Sequence, residues 1–540
     1  MLEAMTKMKK VNKLTRGFQL PLRISVILIA LTLLSCTSLI SPSFEDSLIE
    51  ISINDLQVAY GEGIISAADV VRFYQARISE IDPQLNSVLE VNPDALVIAE
   101  ALDEERARGN VRSRLHGIPV LLKDNIDTAD DMLTTAGSLA LVDAPTPADD
   151  AFLVNRLRAA GAIILGKTNL SEWANFRSTS SSSGWSGRGG QARNPYVLDR
   201  SPCGSSAGSG VAVAVNFTMV AVGTETDGSV VCPSAINGLV GIKPTLGVIS
   251  RSGIIPIAHS QDTAGPMARS VTDAVILLNG MVGIDTRDNA SVVAGSRPLI
   301  DYTRFLTRNG LRGKRIGVAR QLFNDNAALN NLLVSQLQIL EAGGATLIDI
   351  EFNNLEEMGN AETEVLLYEF KAGLNVYLKN RGGEHQSLAA LIEFNRENAL
   401  EEMPYFGQEL FEQSQDKGEL LSDEYQEALQ TTKRLSQRAG IDKVMAVNNL
   451  DAIVAPANDV AWPIDLVNGD STFSYINSSS LAAVSGYPSM TIPAGFIDGL
   501  PIGLLFFSGA FSEPALISIA YDYEQRTRAR RAPLMLESSD

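Results

Sequence analysis

Histidine is scarce in this 540-residue chain, which has only His116, His259 and His385. No two of them have the spacing of a metal-ligand pair, so the sequence argues against metal catalysis. The last histidine also lies far from the C-terminus, where an α/β-hydrolase would place its catalytic histidine. No Gly-Lys-Ser or Gly-Lys-Thr follows the glycine-rich segment at residues 204–208, which argues against a phosphate-binding loop there. We therefore expect neither a metal nor another cofactor.

Positive charge is also in short supply, with 44 Lys and Arg residues against 63 Asp and Glu residues. The chain lacks the basic footprint that nucleic-acid binding requires, so we expect no nucleic-acid partner. A hydrophobic fraction of 45% is enough for a substantial buried core. The composition is therefore that of an acidic globular protein.

Cysteine occurs three times, as Cys36, Cys203 and Cys232. Three cysteines do not make a disulfide framework, and buried cysteines often behave as small apolar residues. An oxidising compartment would permit a bond between Cys203 and Cys232. The sequence nevertheless favours free thiols at these two positions.

The apolar run near the N-terminus is short and covers residues 24–34. It has about half of the ~20 residues that a membrane-spanning helix needs. Basic residues precede it, which is typical of a secretory signal, so we expect residues 1–35 to form a signal peptide. The tetrad Leu33-Leu34-Ser35-Cys36 resembles a bacterial lipobox and predicts a lipid on Cys36; the alternative is an ordinary signal with a chance cysteine. We expect export to the periplasm or cell envelope, with lipid attachment to a membrane and residues 36–48 as a tether.

Helix and strand patterns alternate along the rest of the chain. Short apolar runs bounded by turns, such as Ile118–Leu122, are typical of strands buried on both faces. Amphipathic spacing predicts helices over residues 51–102, with Ser66 as an N-cap, and over 152–159. The alternation predicts an α/β fold. No linker divides residues 49–540, so we expect a single domain with a helical region at about 329–440.

The serine-rich segment at residues 204–208 fits the nucleophile-elbow pattern, which would make Ser206 the nucleophile. Its context argues against that interpretation, because a turn-rich segment rather than a strand precedes it. Serine chemistry without histidine needs another base, and a lysine can serve if burial depresses its pKa. Lys123 ends an apolar strand and is the candidate. The structural alternative is a lysine that reaches solvent and pairs with Asp124.

Several ordered segments resemble the amidase signature family. Its serine- and glycine-rich core matches SPCGSSAGSG and GTETDGSVVCPSAINGLVGIKPT within Ser201–Thr245. Agreement extends to GIPVLLKDN, GKTNLSEWA, SRSGIIP, QDTAGPM and DGLPIGLLF, and so covers most of residues 50–530. The resemblance implies a central mixed β-sheet covered by helices on both faces, and hydrolysis of carboxamide bonds.

The same resemblance places the family's catalytic triad on Lys123, Ser205 and Ser229. It implies that Ser229 is the nucleophile and that neutral Lys123 is the base. Ser205 would follow a cis peptide bond and relay the proton between the other two groups. The product of the first step would be an acyl-enzyme.

The turn at Thr226, Asp227 and Gly228 would supply the N–H groups of an oxyanion hole, and Ser206 would support the site. Many family members read Gly-Gly-Ser here, whereas Asp-Gly-Ser resembles the bacterial peptide amidases, which remove ammonia from the C-terminal amide of peptides. The segments at residues 366–375 and 448–464 resemble the same subgroup. Asp227 would either favour a substrate N–H or satisfy backbone donors in its turn, and both interpretations stay open. The resemblance implies a small peptide amide as substrate, no cofactor, and a helical region that lines the pocket. We expect a monomer.

Other functions share parts of this pattern. A general aliphatic or aryl amidase would use the same residues on other amides. The amidase-like subunit of a glutaminyl-tRNA amidotransferase has the same core but would carry no export signal. An exported oligopeptide-binding lipoprotein would match the length, acidity and lipobox without needing Lys123, Ser205 or Ser229, and a fluorophosphonate would not label it.

Overall fold

Residues 46–470 and 478–538 are the part of the chain that the computed structural model describes. The predicted signal peptide, the predicted lipid site at Cys36 and most of the predicted tether lie outside these residues. Leu48, at the end of that tether, is already buried in the core. In the described residues no helix is both long enough and apolar enough to cross a bilayer.

Strands alternate with helices, as the apolar pattern predicts. The strands are β1 (Val88–Val91), β2 (Pro119–Lys123), β3 (Ile163–Thr168), β4 (Trp185–Ser186), β5 (Gly190–Gln191), β6 (Val220–Glu225), β7 (Val240–Lys243), β8 (Thr263–Ala268), β9 (Arg315–Val318), β10 (Thr346–Asp349), β11 (Ala452–Pro456), β12 (Ser489–Ile497) and β13 (Leu500–Phe507). Eleven of them form one sheet in the order β1-β3-β2-β6-β8-β7-β12-β13-β11-β9-β10, while β4 and β5 form a separate pair. Pairing is parallel between β2 and β6 but antiparallel between β6 and β8, so the sheet is mixed, as expected.

Helices connect the strands and cover the sheet. They are α1 (Ile53–Gly61), α2 (Ala67–Ile81), α3 (Ala95–Ala107), α4 (Phe152–Ala159), α5 (Ala207–Ala214), α6 (Val231–Ile236), α7 (Val271–Met281), α8 (Asn289–Ala294), α9 (Ala327–Ala342), α10 (Leu355–Arg381), α11 (Leu388–Glu397), α12 (Ala399–Glu402), α13 (Glu409–Asp416), α14 (Asp423–Lys433), α15 (Asp442–Asn448), α16 (Ser480–Ser485) and α17 (Glu513–Thr527). Ser66 caps α2 with a reciprocal capping box to Asp69, which confirms the predicted N-cap.

Both faces of the sheet are buried, because alternate residues of its strands enter different cores. Ile453 of β11 and Phe507 of β13 pack with α6, α15 and α16. Their neighbours Val454 and Phe506 pack instead with α9 and α17. The α/β architecture with helices on both faces is thereby confirmed.

The helical region differs in its limits from the sequence prediction of 329–440. Strand β10 interrupts that stretch and extends the sheet beside β9, while α9 packs in the main core. The helices without intervening strands run from α10 to α15, with a π-helical stretch at Arg434–Ile441. Strand β1 likewise lies within residues 51–102, where we predict only helices.

Strands β2 and β6 position the site. They are parallel neighbours with Leu121 opposite Ala221, so their carboxyl ends meet at one edge of the sheet. Lys123 ends β2, and Thr224 and Glu225 end β6. Helix α5 begins directly after Ser206, and α6 begins two residues after Ser229.

Candidate active site

Lys123 is completely buried at the end of β2. Its Nζ lies 2.7 Å from Ser205 Oγ, 2.9 Å from Thr224 Oγ1 and 3.2 Å from the Thr224 carbonyl oxygen. A neutral amine has two N–H donors and one lone pair, so it can donate to both Thr224 oxygens and accept the Ser205 hydroxyl proton. The alternative in which Lys123 reaches solvent is wrong.

Burial lowers the pKa of Lys123 to about 7, although the nearby carboxylates of Glu225 and Asp262 oppose the shift. The cause is the loss of hydration, which penalises the charged ammonium. All three hydrogen-bonding partners are neutral groups and do not replace that hydration with a countercharge. A large fraction of the amine is therefore uncharged at neutral pH.

Two further lysines, Lys167 and Lys243, are also fully buried. Lys167 donates to the Ile126 carbonyl oxygen at 2.8 Å and to Thr134 Oγ1 at 2.7 Å. It stands on β3 opposite Leu122, one position before the residue opposite Lys123, and so it faces the other side of the sheet. Of these three lysines, only Lys123 has a hydrogen bond to a serine.

Ser205 follows a cis peptide bond from Gly204, as the resemblance implies. Ser206, the next residue, ties the neighbouring segments together. Its N–H donates to the Ser229 carbonyl oxygen at 3.2 Å, and its hydroxyl donates to the Thr224 carbonyl oxygen at 3.1 Å. The Thr224 N–H donates back to Ser206 Oγ at 3.2 Å. Ser206 therefore supports the site, and its hydroxyl is engaged by backbone rather than free to attack a substrate.

Ser229 lies in the turn between β6 and α6, directly after Gly228, whose φ of +76° suits glycine. Glu225 holds this turn, because its Oε2 accepts the Val230 N–H at 2.7 Å and the Val231 N–H at 2.9 Å. These are donors at the start of α6 that have no partner within the helix. The carboxylate thus fixes the backbone that carries Ser229.

No backbone N–H of residues 46–470 or 478–538 donates to the Asp227 carboxylate, in contrast to one of its two sequence interpretations. Its two carboxylate oxygens accept the hydroxyl protons of Ser479, at 2.5 Å, and Ser480. Burial raises its pKa, and those two hydrogen bonds oppose the shift. Thr226 Oγ1 donates to Asp262 Oδ1 at 2.6 Å, so both sides of the predicted oxyanion turn are anchored by carboxylates.

Cys203 and Cys232 form a disulfide bond, so the preference for free thiols was wrong. The two Cα atoms are 6.1 Å apart although 29 residues separate them in sequence. Each cysteine lies within three residues of a serine of the predicted triad, and the fold brings those serine segments together. This proximity was the available signal, and composition alone could not reveal it.

A pocket of about 250 Å³ opens beside Ser229. Its lining combines apolar and polar side chains from segments far apart in sequence: Ala174, Asn175, Phe176, Ser183, Cys203, Gly204, Thr226, Asp227, Ser229, Ile257, Leu366, Trp462 and Asp470. Leu366 belongs to α10, so one residue of the helical region does reach the pocket. A volume of this size suits a small organic group next to a serine hydroxyl.

Known proteins match this chain over most of its length. Residues 69–517 match the Amidase family. A solved native peptide amidase from Stenotrophomonas maltophilia is 50% identical, with a TM-score of 0.86, and the match covers 90% of this chain and 99% of that chain. A probable amidase of Arabidopsis thaliana is 42% identical over 90% of this chain and 92% of the relative. The chain belongs to the amidase signature family. It is an amidohydrolase, an enzyme that hydrolyses amides.

Relatives with another named function are also similar to this chain. A glutamyl-tRNA(Gln) amidotransferase component of Pseudomonas aeruginosa is 34% identical over 88% of this chain and 97% of that relative. Family membership alone therefore does not define the substrate of this amidase.

Several pocket residues of the amidase were not singled out from the sequence. Trp462 and Leu366 belong to segments that resemble the peptide amidases, namely residues 448–464 and 366–375, so that resemblance was an available signal. Asp470 lies outside the short segments that carry the resemblance and has no such signal. In residues 46–470 and 478–538, no group of three His, Cys, Asp or Glu side chains is arranged to hold a metal ion.

Proposed function

We propose that this amidase removes ammonia from the C-terminal carboxamide of peptides, using Ser229 as nucleophile, Ser205 as proton relay and Lys123 as base. The hydrogen bond of 2.7 Å between the buried Lys123 amine and Ser205 is the observation that carries the chemical part of the proposal. The 50% identity to a peptide amidase supports the substrate part.

In the first step, Ser229 Oγ attacks the amide carbon while its proton passes to Ser205 Oγ. The Ser205 proton moves at the same time to the neutral Lys123 amine, which becomes an ammonium group. Backbone N–H groups of the turn at residues 226–229 stabilise the oxyanion. The hydrogen bonds of Glu225 and Ser206 keep that turn in place during the reaction.

The tetrahedral intermediate then expels ammonia. Lys123 returns its proton through Ser205 to the leaving nitrogen, and the acyl group remains on Ser229 as an ester. Water attacks this ester by the reverse route, giving its proton to Lys123 through the relay. The second tetrahedral intermediate expels Ser229 Oγ, which takes the proton back from Lys123 through Ser205, so the peptide acid leaves and the lysine is neutral again.

The shape of the pocket supports a small leaving group. Apolar side chains such as Phe176, Ile257 and Trp462 line the space next to Ser229. An NH₂ group needs little room beyond the scissile bond, whereas a further residue would clash in a closed pocket. We therefore expect hydrolysis of terminal amides and no cleavage of internal peptide bonds.

Mass spectrometry tests the substrate directly. The enzyme is incubated with a peptide amide and with the same peptide extended by one residue. We expect a gain of about one dalton, the change from amide to acid, on the first peptide only. Efficient cleavage of the extended peptide, or activity confined to small non-peptide amides, would refute the proposed substrate.

Matched lysine variants test the base. Lys123→Met should lose nearly all activity, whereas Lys167→Met makes the same change at a buried lysine on the opposite face of the sheet and should keep activity per folded molecule. Ser229→Ala should be inactive. The double variant with Lys123→Met should lose little further activity, because the effects of mutating groups in one relay are not additive. Normal turnover in Lys123→Met would refute the mechanism.

We also propose that the mature chain begins at Cys36 and carries a lipid there, because a basic region, an apolar core and a lipobox-like tetrad occur in that order. Labelled palmitate fed to producing cells should be incorporated into the protein. The Cys36→Ala variant should lose this label, and retention of the label would contradict the proposed site.

A further inference from the structure

Charge in the pocket beside Ser229 is of one sign. Among its lining residues, all of which the structure describes, two are acidic, Asp227 and Asp470, and none is basic. Lys123, the lysine of the proposed mechanism, is not among the lining residues and is bonded to neutral oxygens. A ligand in this pocket therefore meets negative charge without a compensating cation on the wall.

Asp470 is held in place by groups that also line the pocket. Its Oδ1 accepts the Ser183 N–H and the Trp462 indole N–H, both at 3.0 Å. These donors leave the second oxygen, Oδ2, for another partner. Burial raises the pKa of Asp470, and the hydrogen bonds from Ser183 and Trp462 oppose that shift by stabilising the carboxylate.

Asp227 adds a second carboxylate from a different part of the chain. Both of its oxygens are occupied by serine hydroxyls, and it belongs to the turn that carries Ser229. Its side chain cannot be changed without disturbing that turn. Asp470 comes from a separate segment and can be altered without replacing any residue of the triad or of the predicted oxyanion hole.

We propose that Asp470, together with Asp227, makes the pocket reject carboxylates, so that peptide amides with an acidic terminal residue are poor substrates and the peptide acid is poorly retained. This inference rests on the proposed peptide amide substrate. The reaction converts a neutral carboxamide into an anion at the site, and like charges in a partly desolvated pocket repel. Asp470 is then a specificity-determining residue that selects for the amide and speeds departure of the acid.

The test compares two tripeptide amides that differ only in a terminal Leu or Asp, whose side chains are similar in shape. For the wild type, we expect kcat/KM to favour the Leu peptide by at least about tenfold. Asp470→Asn keeps an acceptor for Ser183 and Trp462 but removes the charge, and should narrow this ratio by about fivefold or more. Asp465→Asn is the same change at a residue outside the pocket, whose carboxylate accepts hydrogen bonds from Val467 and Asn468 of its own loop, and should leave the ratio unchanged.

A second measurement needs no variant. For the Leu peptide, the inhibition constant of the acid product should exceed the KM of the amide by at least about tenfold in the wild type. Equal binding of acid and amide would overturn the inference. So would an Asp470→Asn variant in which kcat/KM falls by the same factor for both peptides, because Asp470 would then have a purely structural role. Failure of the wild type to hydrolyse either peptide would overturn the proposed function as well, and so differs visibly from failure of the inference alone.

Discussion

The rate of amide hydrolysis should fall as the pH drops below about 7, because the base is active only when Lys123 is neutral. Burial sets the pKa of this lysine at about 7, so lowering the pH adds one proton to the amine and blocks the relay through Ser205. Lys123→Arg is the matching perturbation in the protein. A guanidinium cannot lose its proton in this range, so that variant should be inactive at every pH.

The size of the effect follows from the titration of a single group. With a pKa of about 7, about half of the enzyme is competent at pH 7, about one tenth at pH 6 and about one hundredth at pH 5. A plot of log kcat/KM against pH should therefore rise with a slope of one and reach a plateau near pH 8. On that plateau Lys123 is almost fully neutral, so its titration causes no further change of kcat/KM with pH.

The assay quenches the reaction at fixed times and quantifies peptide amide and acid by mass spectrometry, with circular dichroism confirming that the protein stays folded. Burial raises the pKa of Asp262 to about 6, so protonation of this carboxyl group could also cause kcat/KM to fall at low pH. Warming separates the two, because ammonium ionisation is strongly endothermic and carboxyl ionisation is nearly thermoneutral. The role of Lys123 would be refuted if the apparent pKa of this fall did not change on warming, or if kcat/KM were constant from pH 5 to pH 8.

Three further predictions concern the frame around the site. Replacing Cys203 and Cys232 by serine should lower the free energy of unfolding by about 3.5 kcal/mol, as the loop they close implies; denaturant titration measures this, and reductant should affect only the wild type. Glu225→Ala should reduce kcat by about 100-fold with little change in KM, because the turn carrying Ser229 loses its anchor. Ser66→Ala should cost about 1 kcal/mol of stability without changing kcat.

Parts of the fold were predictable where a local pattern decides the structure. Strand β2 is a continuous apolar run, and its apolar residues could only be buried on both faces of a sheet. The short edge strand β10 was not predictable, because only one of its sides is paired and its residues are exposed or half-buried. Its strand conformation comes from pairing with β9, which the sequence of β10 does not encode.

The same contrast holds for the site. The sequence motifs led to Lys123 and Ser205, and the structure brings these two side chains into hydrogen-bonding contact. The Cys203–Cys232 bond and the place of Asp470 depend on where distant segments meet. The nearness of each cysteine to a serine of the predicted triad is the one local signal for the bond, and no local pattern indicates the place of Asp470. Long-range contacts of this kind decided the details that sequence reasoning left open or got wrong.

The opposite orientations of Lys123 and Lys167 show that the number of residues in β2 is constrained, in evolution as in engineering. Side chains alternate along a strand, so inserting one residue inside β2 would turn Lys123 away from Ser205 and put the apolar side chain of Leu122 in its place. Insertions or deletions within this strand keep the lysine on the same face of the sheet only when they change its length by an even number of residues. The loops on either side carry no such restriction. We expect new substrate preferences to arise through changes in those loops, while the number of residues in the strand stays the same.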